Sequence, residues 1–343
     1  MRILFIGNTW RGANDGSLFR SLSKSGYIIE LIETNRFFPL NYSFFLKVVE
    51  RLIYQIRLNE FNSYIIKTAI KSKSEVAIIY KGAEIFPETI SKLKKMGIYT
   101  VNFYPDVSFF THGALLAKSI CLYDLIVSTK SFAKKDLLTN DIKSIVEFIP
   151  HGFDTEIHKP IKFEKSKIPN IYISDCVFIG QQSTSKANYI MNILTTIPTI
   201  DFKVWGNGWD NSIINKNYIV GNAVFGDYYA LALQCSKISL GLLSEKVPGA
   251  SSGDLITART FEIPGTGAFM IHERTDEIHN YFEEDKEIVC FETNEELTDK
   301  VKYYLNHDSE RDQIAKKGKF RAWKDHTYEK RAEQLIKIIS NYI

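Results

Sequence analysis

The chain has few of the residues that build metal centres and disulfide frameworks. Its four cysteines, Cys121, Cys176, Cys235 and Cys290, lie far apart in 343 residues, and no Cys-x-x-Cys pair or zinc-type grouping of cysteine and histidine occurs. This spacing predicts reduced thiols in a cytoplasmic protein rather than a disulfide-stapled secreted domain. The sequence also has no Asp-x-Asp pair, so a carboxylate site of that kind for a divalent ion is not expected.

Long apolar runs and an excess of one charge are also missing. No stretch approaches 18 uncharged apolar residues, the length that would predict a membrane span. The apolar run at residues 1–7 is too short for the core of a signal peptide. There are 43 lysines and arginines against 40 aspartates and glutamates, a net charge of +3. Without an arginine-rich run or a nucleic-acid-binding motif, this balance argues against a nucleic-acid partner.

Strand-like and helix-like segments alternate along the whole chain. Short apolar runs typical of buried strands form two series, at residues 2–6, 27–32, 76–80, 99–104 and 125–128, and at residues 176–180, 202–205, 238–242, 268–271 and 288–290. A loop-like stretch near residues 160–170 separates the series. Because strands separated by helices form parallel sheets, the sequence predicts an α/β protein with two Rossmann-like domains.

Ligands of open parallel sheets bind where the strands end, so the loops after strands are the candidate sites. The first loop, "GNTWRGANDG", has neither the Gly-x-Gly-x-x-Gly pattern nor a phosphate-binding Gly-Lys-Ser/Thr, which disfavours a dinucleotide-dependent dehydrogenase. Asn8, Asn14 and Asp15 are candidates for contacts with a polar ligand. The alternative is a surface loop in which Asp15 caps the next helix.

The first loop of the second series suits a phosphate group. After a strand ending at Gly180, the sequence offers three hydroxyls, at Ser183, Thr184 and Ser185, and the ammonium of Lys186 beside a predicted helix start. Hydroxyls, free backbone N–H groups and a lysine together favour an anion. The alternative is a helix cap with a solvated lysine.

The next loop, "VWGNGWD", carries two tryptophans around a glycine turn. Trp205 and Trp209 are candidates to stack on a base or a sugar, with Gly206 in the turn between them. Aromatic residues that flank a turn are more often part of the core, and that alternative stays open.

Residues 251–271 begin with three helix N-cap candidates, Ser251, Ser252 and Asp254, which predict a helix from about Leu255. The N-terminus of such a helix carries a partial positive charge that favours a phosphate.

Arg259 and Glu262 lie three residues apart and therefore share one face of that helix. The alternative role is a surface ion pair, which contributes about 0.3–0.5 kcal/mol. We favour a ligand-binding role, in which Arg259 grips a diphosphate and Glu262 accepts hydrogen bonds from ribose hydroxyls. Gly265 and Gly267 are then expected to keep the following turn thin enough for the ligand to approach, and Thr266 between them is a further candidate for donor binding.

Residues 42–73 raise the question of a membrane contact. Apolar residues recur at helical spacing, and basic residues accompany Phe44, Phe45 and Leu46. We expect an amphipathic helix packed on the sheet, and the alternative is a peripheral contact with an anionic membrane surface.

Residues 171–335 resemble the C-terminal half of glycosyltransferases with the GT-B architecture, and specifically the spore-maturation CgeB-like group. The segments that carry the resemblance are "VFIG", "VWGNGW", "CSKISLGLL", "SGDLITARTFEIPGTGAFMI", "DKEIVCFETNEEL" and "HTYEKR". The first half resembles the family only loosely, in "RILFIGNTW", "LSKSGYIIELIE", "VNFYPD" and "YDLIVSTKSFAKKDL". "IPHGFD" resembles the Pro-Asn-Gly-Val-Asp run near the domain junction of many such enzymes.

The run "FEIPGTGAFMI" also resembles a segment of retaining family-4 glycosyltransferases whose glutamate binds the donor ribose, a role that this resemblance assigns to Glu262. Eight positions earlier, where that family usually has a second glutamate, this chain has Asp254, which departs from the pattern. The resemblance implies that Asp254 holds sugar hydroxyls and that Arg259 and Lys186 hold the diphosphate, although their spacing differs from that of family 4.

The fold implied by this resemblance is GT-B, with two Rossmann-like domains whose parallel sheets face a cleft. It predicts an acceptor-binding domain at residues 1–165 and a nucleotide-sugar-binding domain at residues 166–325. Residues 326–343 are then a C-terminal helix that crosses back onto the first domain.

The reaction implied is metal-independent transfer of a sugar from a nucleoside-diphosphate sugar to a hydroxyl of a glycan, lipid-linked or protein-linked acceptor. No cofactor is expected. An inverting reaction needs a general base, for which Asp106, directly after a strand, is the first candidate and His112 the second. His326 is expected to be structural. The protein is expected to be bacterial and cytoplasmic, and the alternative location is peripheral, at the inner face of the membrane.

Two other classes of protein fit the same observations. A nucleotide-sugar epimerase of the same fold would change the sugar without an acceptor. A non-catalytic nucleotide- or glycan-binding protein would bind the donor without turnover, and the departure at Asp254 keeps this alternative open.

Overall fold

The computed structural model describes residues 1–39, 44–140, 142, 144–162, 164 and 167–343, and the side chains of residues 44–52 are not part of this description. The chain divides into two compact units. The first contains Met1–Pro150, Lys246–Ser252 and Arg331–Ile343, and the second contains His151–Glu245 and Gly253–Lys330. The predicted domain boundary at Lys165 and Ser166 lies outside the described residues, as do Tyr42 and the side chains of Phe44, Phe45 and Leu46.

The first unit is built on a sheet of six parallel strands in the order β2-β1-β3-β4-β5-β6. The strands are β1 (Arg2–Gly7), β2 (Ile28–Glu33), β3 (Val76–Tyr80), β4 (Tyr99–Tyr104), β5 (Leu125–Ser128) and β6 (Ile145–Phe148). The central strands are nearly continuous apolar runs because helices cover both faces of a parallel sheet. The strand order reverses between β1 and β3, so this is where the sheet offers a ligand site.

Five helices of this unit follow the strands: α1 (Asn14–Lys24), α2 (Phe44–Ser72), α3 (Pro87–Lys95), α4 (Ala114–Ser119) and α5 (Ala133–Thr139). Phe61, Ile65 and Ala69 of α2 are buried in the same core cluster as Leu4 and Ile79 of the sheet. The described part of α2 is therefore an amphipathic helix packed on the sheet.

The second unit repeats the pattern with parallel strands in the order β12-β11-β10-β7-β8-β9. The strands are β7 (Ser174–Ile179), β8 (Phe202–Trp205), β9 (Ile219–Gly221), β10 (Ser236–Gly241), β11 (Met270–Glu273) and β12 (Val289–Phe291). The helices are α6 (Thr184–Thr196), α7 (Gly226–Gln234), α8 (Ala258–Thr266), α9 (Asn294–Leu305), α10 (Asp308–Asp325) and α11 (Tyr328–Ser340), of which the part from Arg331 belongs to the first unit.

The prediction of an α/β protein with two parallel sheets is confirmed, but two edge strands, β6 and β9, were missed. Both are short, and Ile219–Gly221 is only half-buried. A few half-exposed residues produce too little apolar contrast to predict a strand. No helix in the described part of the chain is long and apolar enough to cross a membrane.

Candidate functional site

The second sheet reverses its strand order between β7 and β10, and side chains of opposite charge gather at the carboxyl ends of these two strands. Gly180 follows β7, and Leu242 follows β10. Ligands of doubly wound sheets bind at such a reversal because the loops diverge there and leave a crevice. Two of the predicted residues, Lys186 and Arg259, lie at this point.

Arg259 is placed by the first turn of α8, which begins three residues later than predicted. Thr257 is the N-cap, and its backbone N–H donates to Oγ1 of Thr260 at 2.9 Å. The prediction of a start near Leu255, capped by Ser251, Ser252 or Asp254, is wrong. The backbone N–H of Asp254 instead donates to the carbonyl of Ser244 at 2.8 Å, and the N–H of Ser244 donates to Oδ2 of Asp254 at 3.3 Å.

The guanidinium of Arg259 is held by one hydrogen bond and one aromatic ring, and one of its buried nitrogens lacks a partner in the described part of the chain. Its Nη2 donates to the carbonyl of Leu242 at 2.8 Å, and its Cζ lies 5.4 Å from the centre of the Phe178 ring. Its buried Nε has no hydrogen-bond partner among the described residues. A Cβ at Gly180 would lie 2.9 Å from Nη1, so the glycine makes room for the guanidinium.

Lys186 is 3% exposed, so the alternative of a solvated lysine is wrong. Its Nζ donates to Oγ of Ser244 at 3.2 Å and to the carbonyl of Gln181 at 3.4 Å. Burial lowers the pKa of Lys186 to about 8, and repulsion from Arg259 contributes to that shift. A buried lysine and a half-buried arginine thus lie near enough to repel each other, an arrangement that a bound anion stabilises.

Three carboxylates partly offset these cations. Asp254, Glu273 and Glu245 each raise the pKa of Lys186. Glu245 accepts from the backbone N–H of Ser185 at 2.7 Å, so a carboxylate already lies at the N-terminus of α6, where a phosphate was predicted.

Glu273 is a member of the site that the sequence analysis missed. It ends β11, and one of its carboxylate oxygens accepts from the backbone N–H of Leu243. Burial raises its pKa to about 6, against the opposing effect of Leu243, Lys186 and Arg259. The signal that could have found it is an acidic residue directly at the end of a buried strand.

Glu262 lies on the same helix as Arg259 but forms no ion pair with it in the described structure. Its Oε2 accepts from the hydroxyl of Tyr229 at 2.8 Å, and its Oε1 lies 3.8 Å from Nε2 of His158. Glu262 is 7% exposed. The alternative of a surface ion pair between Arg259 and Glu262 is therefore wrong.

The two tryptophans belong to the core. Trp209 is 1% exposed and its Nε1 donates to the carbonyl of Gly180 at 2.9 Å. Trp205 is 8% exposed and stacks on Tyr172, with ring centres 5.7 Å apart. The predicted stacking of these rings on a ligand is not supported. Gly206 allows its backbone to lie close to that of Gly180, because a Cβ at position 206 would lie 2.0 Å from the carbonyl oxygen of Gly180.

Gly265, Thr266 and Gly267 lie at the opposite end of α8 from Arg259, and the prediction that they admit or bind the ligand is wrong. Gly265 is inside the helix, where a Cβ would lie 2.6 Å from the ring of Phe153. The hydroxyl of Thr266 is 1% exposed and donates to the carbonyl of Ile263 at 2.7 Å. Gly267 ends the helix with φ of +84° and precedes β11, which places it at the amino ends of the strands.

The first unit brings both predicted base candidates together. Oδ2 of Asp106 lies 3.4 Å from Nε2 of His112 and 2.9 Å from Nζ of Lys81. The hydroxyl of Tyr104 donates to the carbonyl of Ser108 and lies 2.7 Å from Nδ1 of His112. Because its single proton is used in that bond, the Tyr104 oxygen can only accept a hydrogen bond from Nδ1 of His112. A neutral His112 therefore carries its proton on Nδ1 and its lone pair on Nε2.

Burial favours the neutral form of His112. Burial lowers the pKa of His112, the Asp106 carboxylate raises it, and Lys81 lowers it again, with a net decrease. A neutral imidazole with a lone pair on Nε2 is able to accept a proton near neutral pH.

A cavity of about 370 Å³ lies at the reversal of the first sheet, and its lining includes Asn8, Asp15, Lys81 and His112. Asp15 holds the loop after β1, because its Oδ2 accepts from the N–H of Asn8 at 2.5 Å and its Oδ1 from the N–H of Gly16 at 3.2 Å. Burial raises the pKa of Asp15. Asn14, the first residue of α1, is not part of the lining.

Lys81 is a second residue that the sequence analysis missed. It has φ of +63°, a left-handed conformation that is uncommon outside glycine, and Gly82 follows with φ of +81°. Backbone strain of this kind is concentrated at functional sites. A Lys-Gly pair directly after a buried strand is the sequence signal for it.

Comparison with known proteins identifies a domain in the second half of the chain. Residues 187–337 match the protein family described as "Glycosyl transferase-like". No curated protein sequence matches the chain.

Several solved structures share the whole fold at low sequence identity. Sucrose-phosphate synthase from Thermosynechococcus elongatus has a TM-score of 0.68 and 11% identity, over 99% of this chain and 98% of that one. HepE of Anabaena, solved in complex with UDP, has a TM-score of 0.63 and 11% identity, over 99% and 100% of the two chains. A glycosyltransferase from Rickettsia africae has a TM-score of 0.63 and 12% identity, over 98% and 97%.

The fold and the matched domain define the class of protein. The chain has the GT-B fold of these structures, and residues 187–337 form a glycosyltransferase domain. The predictions of a GT-B fold and of a glycosyltransferase are confirmed.

Proposed function

We propose that the protein transfers a sugar from a nucleoside-diphosphate sugar to an acceptor hydroxyl, and that the second unit binds the donor. The observation that carries this proposal is the pair of cations, Lys186 and Arg259, at the reversal of the second sheet. Repulsion between them contributes to the lowered pKa of Lys186, and a diphosphate would remove that repulsion.

The N-terminus of α8 supports an anionic ligand independently. A helix N-terminus favours negative charge, yet the first turn of α8 has no acidic residue and carries Arg259 instead. A cation there is unfavourable by about 0.3–1 kcal/mol. The diphosphate would contact both the guanidinium and the helix N-terminus, which offsets this cost.

The two cations would also stabilise the charge that develops on the leaving diphosphate. Loss of one such group typically lowers the rate about a hundredfold, or about 3 kcal/mol. This electrostatic role is the reason that we propose a reaction without a metal ion or another cofactor.

Acidic side chains would hold the rest of the donor. Glu262 would accept hydrogen bonds from the ribose hydroxyls, with Tyr229 orienting its carboxylate through the 2.8 Å hydrogen bond. Asp254, which exchanges hydrogen bonds with Ser244, would accept from hydroxyls of the sugar. Aspartate is one methylene shorter than the glutamate usual in family 4, so the sugar would lie closer to the backbone here.

The first unit would bind and activate the acceptor. Asn8, Asp15 and Lys81 line the cavity beside His112. In this proposal Nε2 of His112 takes the proton of the acceptor hydroxyl, and Asp106, whose Oδ2 lies 3.4 Å from the same nitrogen, stabilises the imidazolium that forms.

We further propose that the donor is a UDP-sugar, because HepE was solved with UDP and with UDP-glucose. A CgeB-like bacterial enzyme in the cytoplasm, acting on a glycan, lipid-linked or protein-linked acceptor, is the finer form of this proposal. It rests on the sequence segments described above.

The test is thermal unfolding of the purified protein with UDP, GDP, TDP, ADP and CMP. A ligand at a hundred times its Kd adds about 2.7 kcal/mol, so UDP is expected to raise the Tm by several degrees. Arg259→Ala and Glu262→Ala should abolish the shift, whereas Lys216→Ala, an exposed lysine of the same unit, should leave it unchanged. A protein that no nucleotide stabilises would contradict the proposed donor site.

A further inference from the structure

One face of α10 carries exposed lysines and aromatic rings side by side. Lys316, Lys317, Phe320, Trp323 and Lys324 recur at helical spacing and are all exposed, and we call them the basic–aromatic strip. The opposite face of α10 is buried through Ile314, Gly318 and Ala322. The strip is therefore the solvent side of a helix that is anchored on its other side.

The apolar part of the strip is unusually open to water. Phe320 is 71% exposed and Trp323 is 37% exposed. Trp323 is also held in place, because its Nε1 donates to the carbonyl of Gly265 at 2.8 Å. Burying an aromatic side chain of this size is favourable, yet most of the Phe320 side chain stays in contact with water in this chain.

The charges of the strip are also unpaired. Within the described part of the chain, Lys316, Lys317 and Lys324 have no ion pair or hydrogen bond. The two arginines of the same helix are paired, Arg311 with Asp308 and Arg321 with Asp325. Three unpaired lysines around an exposed phenylalanine are complementary to a partner with anionic groups at its surface and an apolar layer below them.

We propose that the basic–aromatic strip binds the protein to an anionic lipid bilayer. Lysine ammonium groups would contact the lipid phosphates while Phe320 enters the interface, with Trp323 at headgroup depth, as is usual for such residues. A second copy of the chain is a poor occupant, because a two-fold contact would set the lysines of one strip against those of the other. A nucleic acid is also a poor occupant, since the strip has no arginine and the net charge of the chain is only +3.

Co-sedimentation with vesicles tests this surface on the full chain. The protein is expected to bind phosphatidylcholine vesicles that contain phosphatidylglycerol, to bind pure phosphatidylcholine weakly, and to lose affinity at high salt. Each lysine near an anionic membrane contributes about fivefold to the affinity, so Lys316→Gln/Lys317→Gln should weaken binding about 25-fold. Phe320→Ser should weaken binding at least about tenfold without changing the salt dependence.

The matched control is Lys67→Gln/Lys71→Gln, which removes two exposed lysines from α2 and should leave vesicle binding unchanged. Loss of binding in this control but not in the α10 variant would assign the membrane contact to α2 and overturn the proposal. So would failure of the wild-type protein to bind anionic vesicles, a dimer that Phe320→Ser dissociates, or tighter binding to a single-stranded oligonucleotide than to the vesicles. The UDP-induced rise in Tm should be the same in all variants, which separates this inference from the proposed donor site.

Discussion

Lys186 shows how a single residue reports the presence of a binding site. A lysine that is 3% exposed would ordinarily be paired with a carboxylate, but Lys186 donates only to a hydroxyl and a carbonyl. Its pKa of about 8 in the folded protein lies below the value of 10.5 expected in the unfolded chain. Between these values the unfolded chain binds more protons, so stability rises with pH through this window, and the cost of the buried charge is complete below it.

Replacing Lys186 by methionine should therefore stabilise the protein without ligand. At neutral pH we expect the free energy of unfolding of the second unit to rise by up to about 3 kcal/mol. The gain should shrink as the pH rises from about 8 and disappear above pH 10.5, where the wild-type lysine becomes neutral in both states. Urea unfolding at neutral and alkaline pH measures both values.

Lys216→Met, at an exposed site, should change stability by less than about 0.5 kcal/mol at either pH. Lys186→Met should also lose the thermal shift with UDP. A variant that is less stable than the wild type at neutral pH would show that Lys186 contributes to folding rather than to anion binding.

At the scale of elements, the geometry of the proposed donor site depends on how closely the loops after β7 and β8 approach each other. Gly206 has φ of +144°, and the oxygen of Gly180 occupies the place of its missing side chain. The same oxygen accepts from Trp209, which fixes Gly180 beside Arg259. Two glycines and a buried indole thus position one guanidinium.

Gly206→Ala should destabilise the second unit by about 3 kcal/mol, because both the positive φ and the 2.0 Å approach oppose a Cβ. Gly221→Ala is the matched control at the end of the next strand, where an added Cβ meets no atom within 4 Å. It should be neutral or stabilising by up to about 1 kcal/mol. Equal effects of the two substitutions in thermal unfolding would refute the close approach.

At the scale of the whole molecule, the candidate groups are divided between the two units. Asp106, His112 and Lys81 belong to the first unit, and Lys186 and Arg259 belong to the second. Each group lies at the reversal of its own sheet or at the end of a neighbouring strand. In the proposed function, this division would separate activation of the acceptor from binding of the donor.

His112→Ala is therefore expected to lower kcat about 10²–10⁴-fold, as for loss of a general base, while the Tm shift with UDP stays at the wild-type value. Asp106→Asn should act in the same direction, since it removes the charge that stabilises the imidazolium. Arg259→Ala should lose both turnover and the shift.

The measurements are sugar release from the UDP-sugar with and without an acceptor, and thermal unfolding with UDP. The control is Lys92→Ala on the exposed side of α3, which should leave both the turnover and the Tm shift with UDP at wild-type values. Loss of nucleotide binding in His112→Ala would contradict the division of roles, and acceptor-independent conversion of the sugar would favour an epimerase.

Local sequence signals predicted most of the elements but only part of the site. The central strands are continuous apolar runs and were predicted, whereas β6 and β9 are short and half-exposed and were not. Arg259 and Lys186 could be singled out because each is a cation beside a predicted strand end. Lys81 and Glu273 also stand at the ends of buried strands, but they were missed, because the order of strands in the sheet is needed to tell which strand ends lie at the ligand-binding reversal.

The amino-acid sequence by itself determined the α/β class, the two parallel sheets and the place of the charged loops, because periodicity and strand ends are local properties of the chain. The tertiary structure alone decided which side chains meet. In the folded chain Lys186 is buried, and Glu262 accepts a hydrogen bond from Tyr229 instead of pairing with Arg259. Gly265 packs against the ring of Phe153. These outcomes depend on packing between residues that are distant in sequence, and no local pattern encodes a distance of that kind.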